Sequence, residues 1–364
     1  MQENPDYLRR QILTYIGNKR DLLKYIGDAL KTVHTELGKE KLSLFDVFSG
    51  SGIVSRFFKK HASELYSNDL EAYSRVLNEC FLANKSEIDC HLLESTLASL
   101  KKKIDANLHG GFISELYAPK NDDDIQAGER VFYTVRNANY IDTARQEIAE
   151  LPQEIQRFFL APLLVEASIH VNTAGVFKGF YKDYKGIGRF GGEAENALFR
   201  IKGEINLELP VLSNFDCDCN VMQMDAKDAA HAIGHTVDLA YLDPPYNQHP
   251  YGSNYFMLNT ILKYERPREI SRVSGIAKGW NRSKYNARLD AQETLFKLIK
   301  EIDARYVLIS YNSEGFVKYD DFVAFMKKLG KLRVVSTDYA TYRGCRNLND
   351  RNLYVKEYLF LLKK

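Results

Sequence analysis

The stretch "LSLFDVFSGSGIVSRFF" (residues 42–58) decides the fold. Its first seven residues are a short apolar run, the signature of a buried strand. "SGSG" then breaks the run with a tight turn, and "IVSRFFKKH" (53–61) resumes at helical spacing. Strand, glycine turn and helix form the first unit of an open α/β sheet. Upstream, "RDLLKYIGDALKTVHTEL" places Leu22, Ile26, Ala29, Leu30, Val33 and Leu37 on one helical face. Downstream, "ELYSND" reads as a second strand and "LEAYSRVLNECFLANK" as a second helix. Strands alternating with helices predict a parallel sheet covered by helices on both faces.

Between 91 and 214 that rhythm is lost. Helical stretches ("LLESTLASLKKKID", "PQEIQRFFLAPLLVEAS") adjoin an acidic "NDDD" and the Gly/Lys/aromatic run "GVFKGFYKDYKGIGRFGG". The alternation returns with "NVMQM", "VDLAYL", "ETLFKLIKEID", "RYVLIS" and a C-terminal pair, "KLRVVS" and "LYVKEYLFLL". The expected organisation is a discontinuous domain, 1–90 with 215–364, carrying an inserted domain, 91–214.

A chain of 364 residues with 45% hydrophobic residues can bury a sizeable core. A net charge of +2 excludes a packaging-type polycation, so a polyanionic partner must be met by local patches. The polar start "MQENPDYLRR" has no apolar leader segment, and no run approaches a membrane span. Five scattered cysteines read as reduced thiols, and the Cys217-x-Cys219 pair lacks a second pair at zinc spacing. These features predict a cytoplasmic protein with no metal site and no membrane contact.

Ligands of an open α/β sheet bind at the carboxyl ends of its strands. Gly50 and Gly52 sit at such an end and allow close backbone approach. Asp69 closes the second predicted strand, where a carboxylate can accept both hydroxyls of a ribose. Asp225, in "MQMDAKD", brings a third acid to the same edge, suited to an adenine amine or to a helix N-cap. The strand "VDLAYL" leads into "YLDPPYNQHPYGSNYF" (241–256). Pro244 and Pro245 have fixed φ and no N–H. The corner therefore presents two acceptors, the Asp243 carboxylate and the Pro244 carbonyl, followed by Tyr246 as a flat stacking surface. That set suits an aromatic amine carrying two hydrogens.

These motifs resemble the D12 class of N6-adenine DNA methyltransferases, which includes Dam-type enzymes. "YIGNKRDLL" (15–23) is similar to their N-terminal cofactor motif, "DVFSGSG" to their S-adenosylmethionine loop and "YLDPPY" to their catalytic motif. The order, with an insertion before the catalytic motif, resembles the alpha-type arrangement. The resemblance implies a Rossmann-like S-adenosylmethionine-dependent sheet with 91–214 as target-recognition domain. It further implies transfer of a methyl group to N6 of an adenine flipped out of double-stranded DNA. Tyr15, Gly17, Asn18 and Lys19 would surround the methionine end of the cofactor, with Lys19 pairing its carboxylate. Asp46 would fix the same end, and Phe48, Ser49, Gly50 and Gly52 would form the cofactor loop.

DNA contact needs cations. From Lys263 to Arg288 eight basic residues face two acids, a local charge of +6, with Trp280 and Tyr285 interleaved. Lys278 and Arg282 of this run, Lys178, Lys182 and Arg189 of the insertion, and Arg343 near the C-terminus are the expected DNA contacts. Tyr255 is expected as a wall of the base pocket. A separately encoded restriction endonuclease is the expected companion. The same chemistry on RNA, or a non-catalytic nucleic-acid-binding subunit with this fold, are the alternatives.

Overall fold

The computed structural model describes residues 2–340 and 354–364. The run 42–48 forms strand β1, Leu42–Asp46, and ends at the predicted turn. Around it stand β2 (Ala62–Asp69), β3 (Asp218–Gln223), β4 (Val237–Leu242), β5 (Ala304–Asn312), β6 (Lys331–Ala340) and β7 (Tyr354–Lys363). They form one sheet in the order β3-β2-β1-β4-β5-β7-β6. The chain therefore has a Rossmann-like α/β sheet. Its order reverses between β1 and β4, which pair in parallel with Asp46 opposite Tyr241. The crevice above such a reversal is where open α/β sheets hold ligands.

All six residues of β4 are buried. Ala240 and Leu242 pack with Phe45, Leu295, Ile299 and Val307 on one face. Leu239 and Tyr241 pack with Leu30, Phe58 and Leu308 on the other. With both faces covered, the strand has no polar alternation, and each buried aliphatic side chain contributes about 1.5–3 kcal/mol. The helix Leu23–Leu37 covers one face and stops at Gly38, whose φ of 62° ends it in a left-handed turn.

The alternation predicted parallel strands throughout, and the sheet departs from this at one margin. Strand β7 runs antiparallel to both β5 and β6 and sets Glu357 between Asn312 and Thr337. Antiparallel neighbours need no helical crossover, unlike the parallel pairs of the rest of the sheet.

Residues 91–214 do not stand apart from the rest of the core. One apolar cluster runs from Ile12 and Leu13 through Leu77, Leu100, Ile141 and Phe159 to Met257 and Ile261. The helices Val135–Ala149 and Gln153–Ile169 pack here against Ala72–Phe81 and Phe256–Lys263. The helix Val135–Ala149 carries no clean amphipathic pattern because it buries polar groups as well, Asn137, Asp142 and Thr143. Asp142 accepts the backbone N–H groups of Gly111, Ile113 and Ser114 and so caps the short helix Phe112–Tyr117. No helix among the described residues is long and apolar enough to cross a membrane.

Candidate active site

The chain after β1 turns on Gly50 and Gly52, both in the left-handed region at φ 51° and 76°. A Cβ on Gly52 would lie 2.4 Å from Asn78 Oδ1, and one on Gly50 would lie 2.8 Å from the Tyr15 ring. Only glycine fits at either place. The turn is tied to the end of β2: Gly50 N donates to Asp69 Oδ2 at 2.8 Å and Ser49 N to the Asn68 carbonyl at 2.8 Å. Tyr15 lies over the turn, stacked on Tyr255 and Tyr251 at 4.6 and 5.0 Å between ring centres.

This arrangement bounds a cleft of about 870 Å³ over the β1/β4 reversal. Tyr15, Gly17, Asn18, Lys19, Asp46, Phe48, Ser49, Gly50, Asp69, Asp225, Asp243 and Pro245 all line it. Gly52 lies outside the lining, as N-cap of the helix Ile53–Lys59. Pro244 is buried behind the corner and Tyr246 is half-buried, edge-on to Tyr311 at 6.0 Å. Asp225 caps the helix Ala226–Ala232 through Lys227 N and also lines the cleft.

Asp243 is held by a buried cation. Lys19 Nζ lies 3.1 Å from Asp243 Oδ1 and 3.0 Å from Glu357 Oε1, with the Lys19 and Glu357 side chains only 3% and 2% exposed. Sequence reasoning gave the Lys19 ammonium to a ligand carboxylate; in the structure two carboxylates of the chain itself hold it. Ser310 Oγ donates to Glu357 Oε1 at 2.7 Å and fixes the far side. The two carboxylates outweigh desolvation at Lys19 and hold its ammonium well above its usual range. Burial pushes the Asp243 carboxyl up to about 7, with Lys19 opposing and Glu357 adding to the rise.

Three more acids of the cleft have raised carboxyls. Burial raises Asp46 to about 7, opposed by the Ser55 hydroxyl that donates to Oδ2 at 2.6 Å and assisted by Asp243 and Asp69. Burial also lifts Glu71 to about 7 and Asp69 above its usual range. Raised carboxyls bind protons in the folded state that the unfolded chain has lost. They therefore cost stability as pH rises from about 4 through 7, and a cation in the cleft offsets that cost.

Glu71 and Glu357 were not singled out from the sequence. Glu357 is a charged residue inside the apolar run "LYVKEYLFLL", and a lone acid on a buried strand signals a partnered group. Glu71 follows Asp69 by two residues and accepts from Asn259 Nδ2 at 2.6 Å. Tyr285 and Asn281 of the basic run also reach the cleft. Asn281 Nδ2 donates to the Leu70 carbonyl at 3.1 Å, and Asn286 Nδ2 to the Asn247 carbonyl at 2.7 Å, fastening the run across the opening.

Tyr255 departs from its expected place at the DNA. It is 1% exposed, packed among Tyr15, Tyr73, Tyr251 and Phe177, and accepts the Ile16 N–H at 2.8 Å. It supports Tyr15 from below, because it opens a buried helix turn and faces inward. Lys178 is exposed beside His249 of the stretch that follows β4, 3.5 Å away, and Phe177 N donates to the Asn254 carbonyl. Lys182 Nζ sits 5.1 Å over the Phe180 ring. Arg189 is paired with Glu193 and Glu195 at 3.2 and 3.6 Å. Lys278 pairs with Glu269 at 2.6 Å, and Arg282 stacks 4.9 Å over Trp280. A groove lined by Lys263, Arg268, Lys278 and Trp280 meets the cleft at Gly252 and Asn281. Arg343 lies outside the described residues. Among those residues no group of three metal-ligating side chains comes together.

The profile of the D12 class N6 adenine-specific DNA methyltransferases matches residues 15–325, which include the turn, the acids of β2 and the DPPY corner. The chain belongs to this family. It is an adenine-specific DNA methyltransferase. The type II methyltransferase M.NlaIII of Neisseria lactamica is 29% identical over 97% of this chain and 99% of its own length. The type II methyltransferase M.CviAII of Paramecium bursaria Chlorella virus 1 is 29% identical over 96% and 97%. Similarity to the type II methyltransferase M.FokI of Planomicrobium okeanokoites is 26% over 97% of this chain and 53% of that longer protein. In the methyltransferase, Glu357 falls beyond the matched region, and the Lys19–Glu357 pair joins its first motif to its last strand.

Proposed function

We propose that the cleft holds S-adenosylmethionine and that Asp243 and the Pro244 carbonyl receive the N6 amine of an adenine flipped out of double-stranded DNA. The observation that carries this reading is the pairing of a carboxylate corner, held by Lys19, with an unsatisfied acid in the same cleft. Asp46 is 1% exposed, and its Oδ1 has no hydrogen-bond partner among the described residues. Such an orphan costs about 1–3 kcal/mol unless a ligand meets it. The residues present thus fit a cationic amino-acid end: Asp46 for its ammonium, with Tyr15, Gly17 and Asn18 around it. Asp69 and Glu71 are placed for ribose hydroxyls and Asp225 for the adenine amine. When bound, S-adenosylmethionine supplies a methyl group activated by its sulfonium.

The chain's own residues do the rest. The lone pair of an aromatic amine is delocalised into the ring. Hydrogen bonds from its two hydrogens to Asp243 and Pro244 favour a pyramidal nitrogen and free that pair. As methyl is transferred, positive charge grows on N6, and the Asp243 carboxylate stabilises it and is placed to take the released proton. Tyr246 stacks on the flipped base. Segment 91–214 serves as the target-recognition domain, and the basic run 263–288 with Lys178 and Lys182 follows the phosphates. The relatives' names, type II methyltransferases and modification methylases, support a modification role, and a separately encoded restriction endonuclease is its proposed companion.

The deciding experiment incubates the protein with S-adenosylmethionine and unmethylated DNA or RNA, then digests to nucleosides for mass spectrometry. N6-methyladenine in DNA supports the reading; its appearance in RNA alone overturns it. The reaction needs ionised Asp243, whose carboxyl is raised to about 7. Single-turnover rates are therefore expected to fall about tenfold per pH unit below that value, and a flat profile would count against the role of Asp243. Replacing Lys278 and Arg282 together with alanine is expected to weaken DNA binding and reduce its salt slope by about 2. A slope equal to that of the parent protein would take both residues off the phosphate path.

A further inference from the structure

Glu357 touches neither the proposed base position nor the glycine turn, yet it is 2% exposed and reaches the centre of the site through one atom pair. Its Oε1 accepts from Lys19 Nζ at 3.0 Å and from Ser310 Oγ at 2.7 Å. Lys19 has Asp243 at 3.1 Å on its other side. A buried lysine with a single carboxylate would form a neutral pair, and its full charge would fall on Asp243. With two carboxylates the cluster carries a net charge of −1. Charges this close and this shielded from water interact far more strongly than exposed ones.

The register explains why this position is available. Strand β7 enters the sheet antiparallel beside β5, which brings Glu357 level with Asn312 and next to Ser310. That level is the carboxyl end of β5 and of the neighbouring β4, where Asp243 emerges. A parallel strand arriving there would have placed its last residues, not its fourth, against Lys19.

Resting on the reading above, we infer that Glu357 is a positioning residue for methyl transfer: it shares the charge of Lys19 so that Asp243 meets the reacting amine with its negative potential intact. The established reaction builds positive charge on N6, so a net-negative cluster stabilises the transition state more than the neutral ground-state amine. Other groups face the Lys19–Asp243 pair. Tyr246 and Tyr251 come from the stretch after β4, Tyr241 from β4 itself, and Asp46 from β1. Of the acids among the described residues, Asp46 lies on the ligand side of the cleft and Glu357 balances Lys19 from behind.

The test compares Glu357→Gln and Glu357→Asp with the parent protein. Glutamine keeps both acceptor contacts and loses the charge; aspartate keeps the charge and draws it back by one methylene. Single-turnover methylation of duplex DNA is followed across pH, with thermal unfolding and calorimetric S-adenosylmethionine binding alongside. For Glu357→Gln the rate on the alkaline plateau is expected to fall about 10- to 100-fold. The acid limb is expected to move to lower pH, since Lys19 then acts on Asp243 undivided, while cofactor affinity stays within about threefold. Glu357→Asp should shift both in the same direction by less. A merely structural glutamate would lower unfolding temperature without moving the acid limb, and that outcome overturns the inference. If the glutamine variant does not fold, the aspartate variant decides, and parental rate and limb again overturn it. A parent protein that leaves DNA unmethylated removes the underlying reading, and the role of Glu357 with it; parental methylation with an unmoved glutamine variant removes only the latter.

Discussion

Asp243→Ala is expected to lower methyl transfer to DNA by about 10³-fold while leaving S-adenosylmethionine affinity within a few-fold, because it removes the main electrostatic stabiliser of the transition state and no wall of the glycine turn. Asp243 lies at one end of the cleft, 3.1 Å from Lys19, whereas the groups proposed for the cofactor's far end, Asp69 and Asp225, sit on other strand ends. The alanine variant leaves the Lys19–Glu357 pair in place, so it should fold. Asp243→Asn separates the two contributions of the carboxylate. It keeps an acceptor for one amine hydrogen but neither the charge nor a site for the released proton, so it should fall close to alanine. Rapid-quench single-turnover kinetics with calorimetry of cofactor binding would check both variants. Activity within tenfold of the parent protein would transfer the role to another acceptor, with the Pro244 carbonyl foremost.

Lys19→Met is expected to cost about 3–5 kcal/mol of stability at neutral or higher pH, the usual penalty for stripping a buried ion pair of one member. Two carboxylates, Asp243 and Glu357, now rest on a single ammonium that is 3% exposed. Without it they face each other in a poorly solvated space. The sign of the pH dependence follows. Removing the cation takes away the group that opposes the rise at Asp243, so that carboxyl is raised further and the folded variant gains a proton the unfolded chain does not hold. The loss should therefore be largest above about pH 7 and shrink as pH falls and Asp243 becomes neutral. Denaturant titrations of both proteins at several pH values would measure it. A loss below about 1 kcal/mol, or one independent of pH, would mean that water or a rearranged side chain already serves these acids. Methyl transfer should be lost as well, since an uncharged Asp243 offers nothing to a developing cation.

The sequence by itself determined the sheet, the glycine turn and the DPPY corner. Each is a local device. β1 and β4 are uninterrupted apolar runs because both faces are covered. Gly50 and Gly52 are required by left-handed backbone and by side chains packed against them. Asp243 stands beside two prolines, which have no N–H, so the corner presents acceptors. Local signals also showed Asp69 and Asp225, since each closes or follows a strand on the same sheet edge, whereas Asp46 came from the family resemblance. What only the tertiary structure decided depends on which strands become neighbours. Lys19 and Glu357 are 338 residues apart in sequence and 3.0 Å apart in space, through an antiparallel strand that the alternation of strand and helix does not foretell. Tyr255 moved from an expected DNA contact to a buried support of Tyr15, since an aromatic in a helix turn is equally suited to surface or core until the packing around it is known. The helix Val135–Ala149 escaped notice because it buries Asn137, Asp142 and Thr143, and a helix enclosed on several sides loses the one-sided apolar stripe by which helices are read. Periodicity reports how an element meets its surroundings as a whole; it carries no record of which distant side chain will neutralise a buried charge.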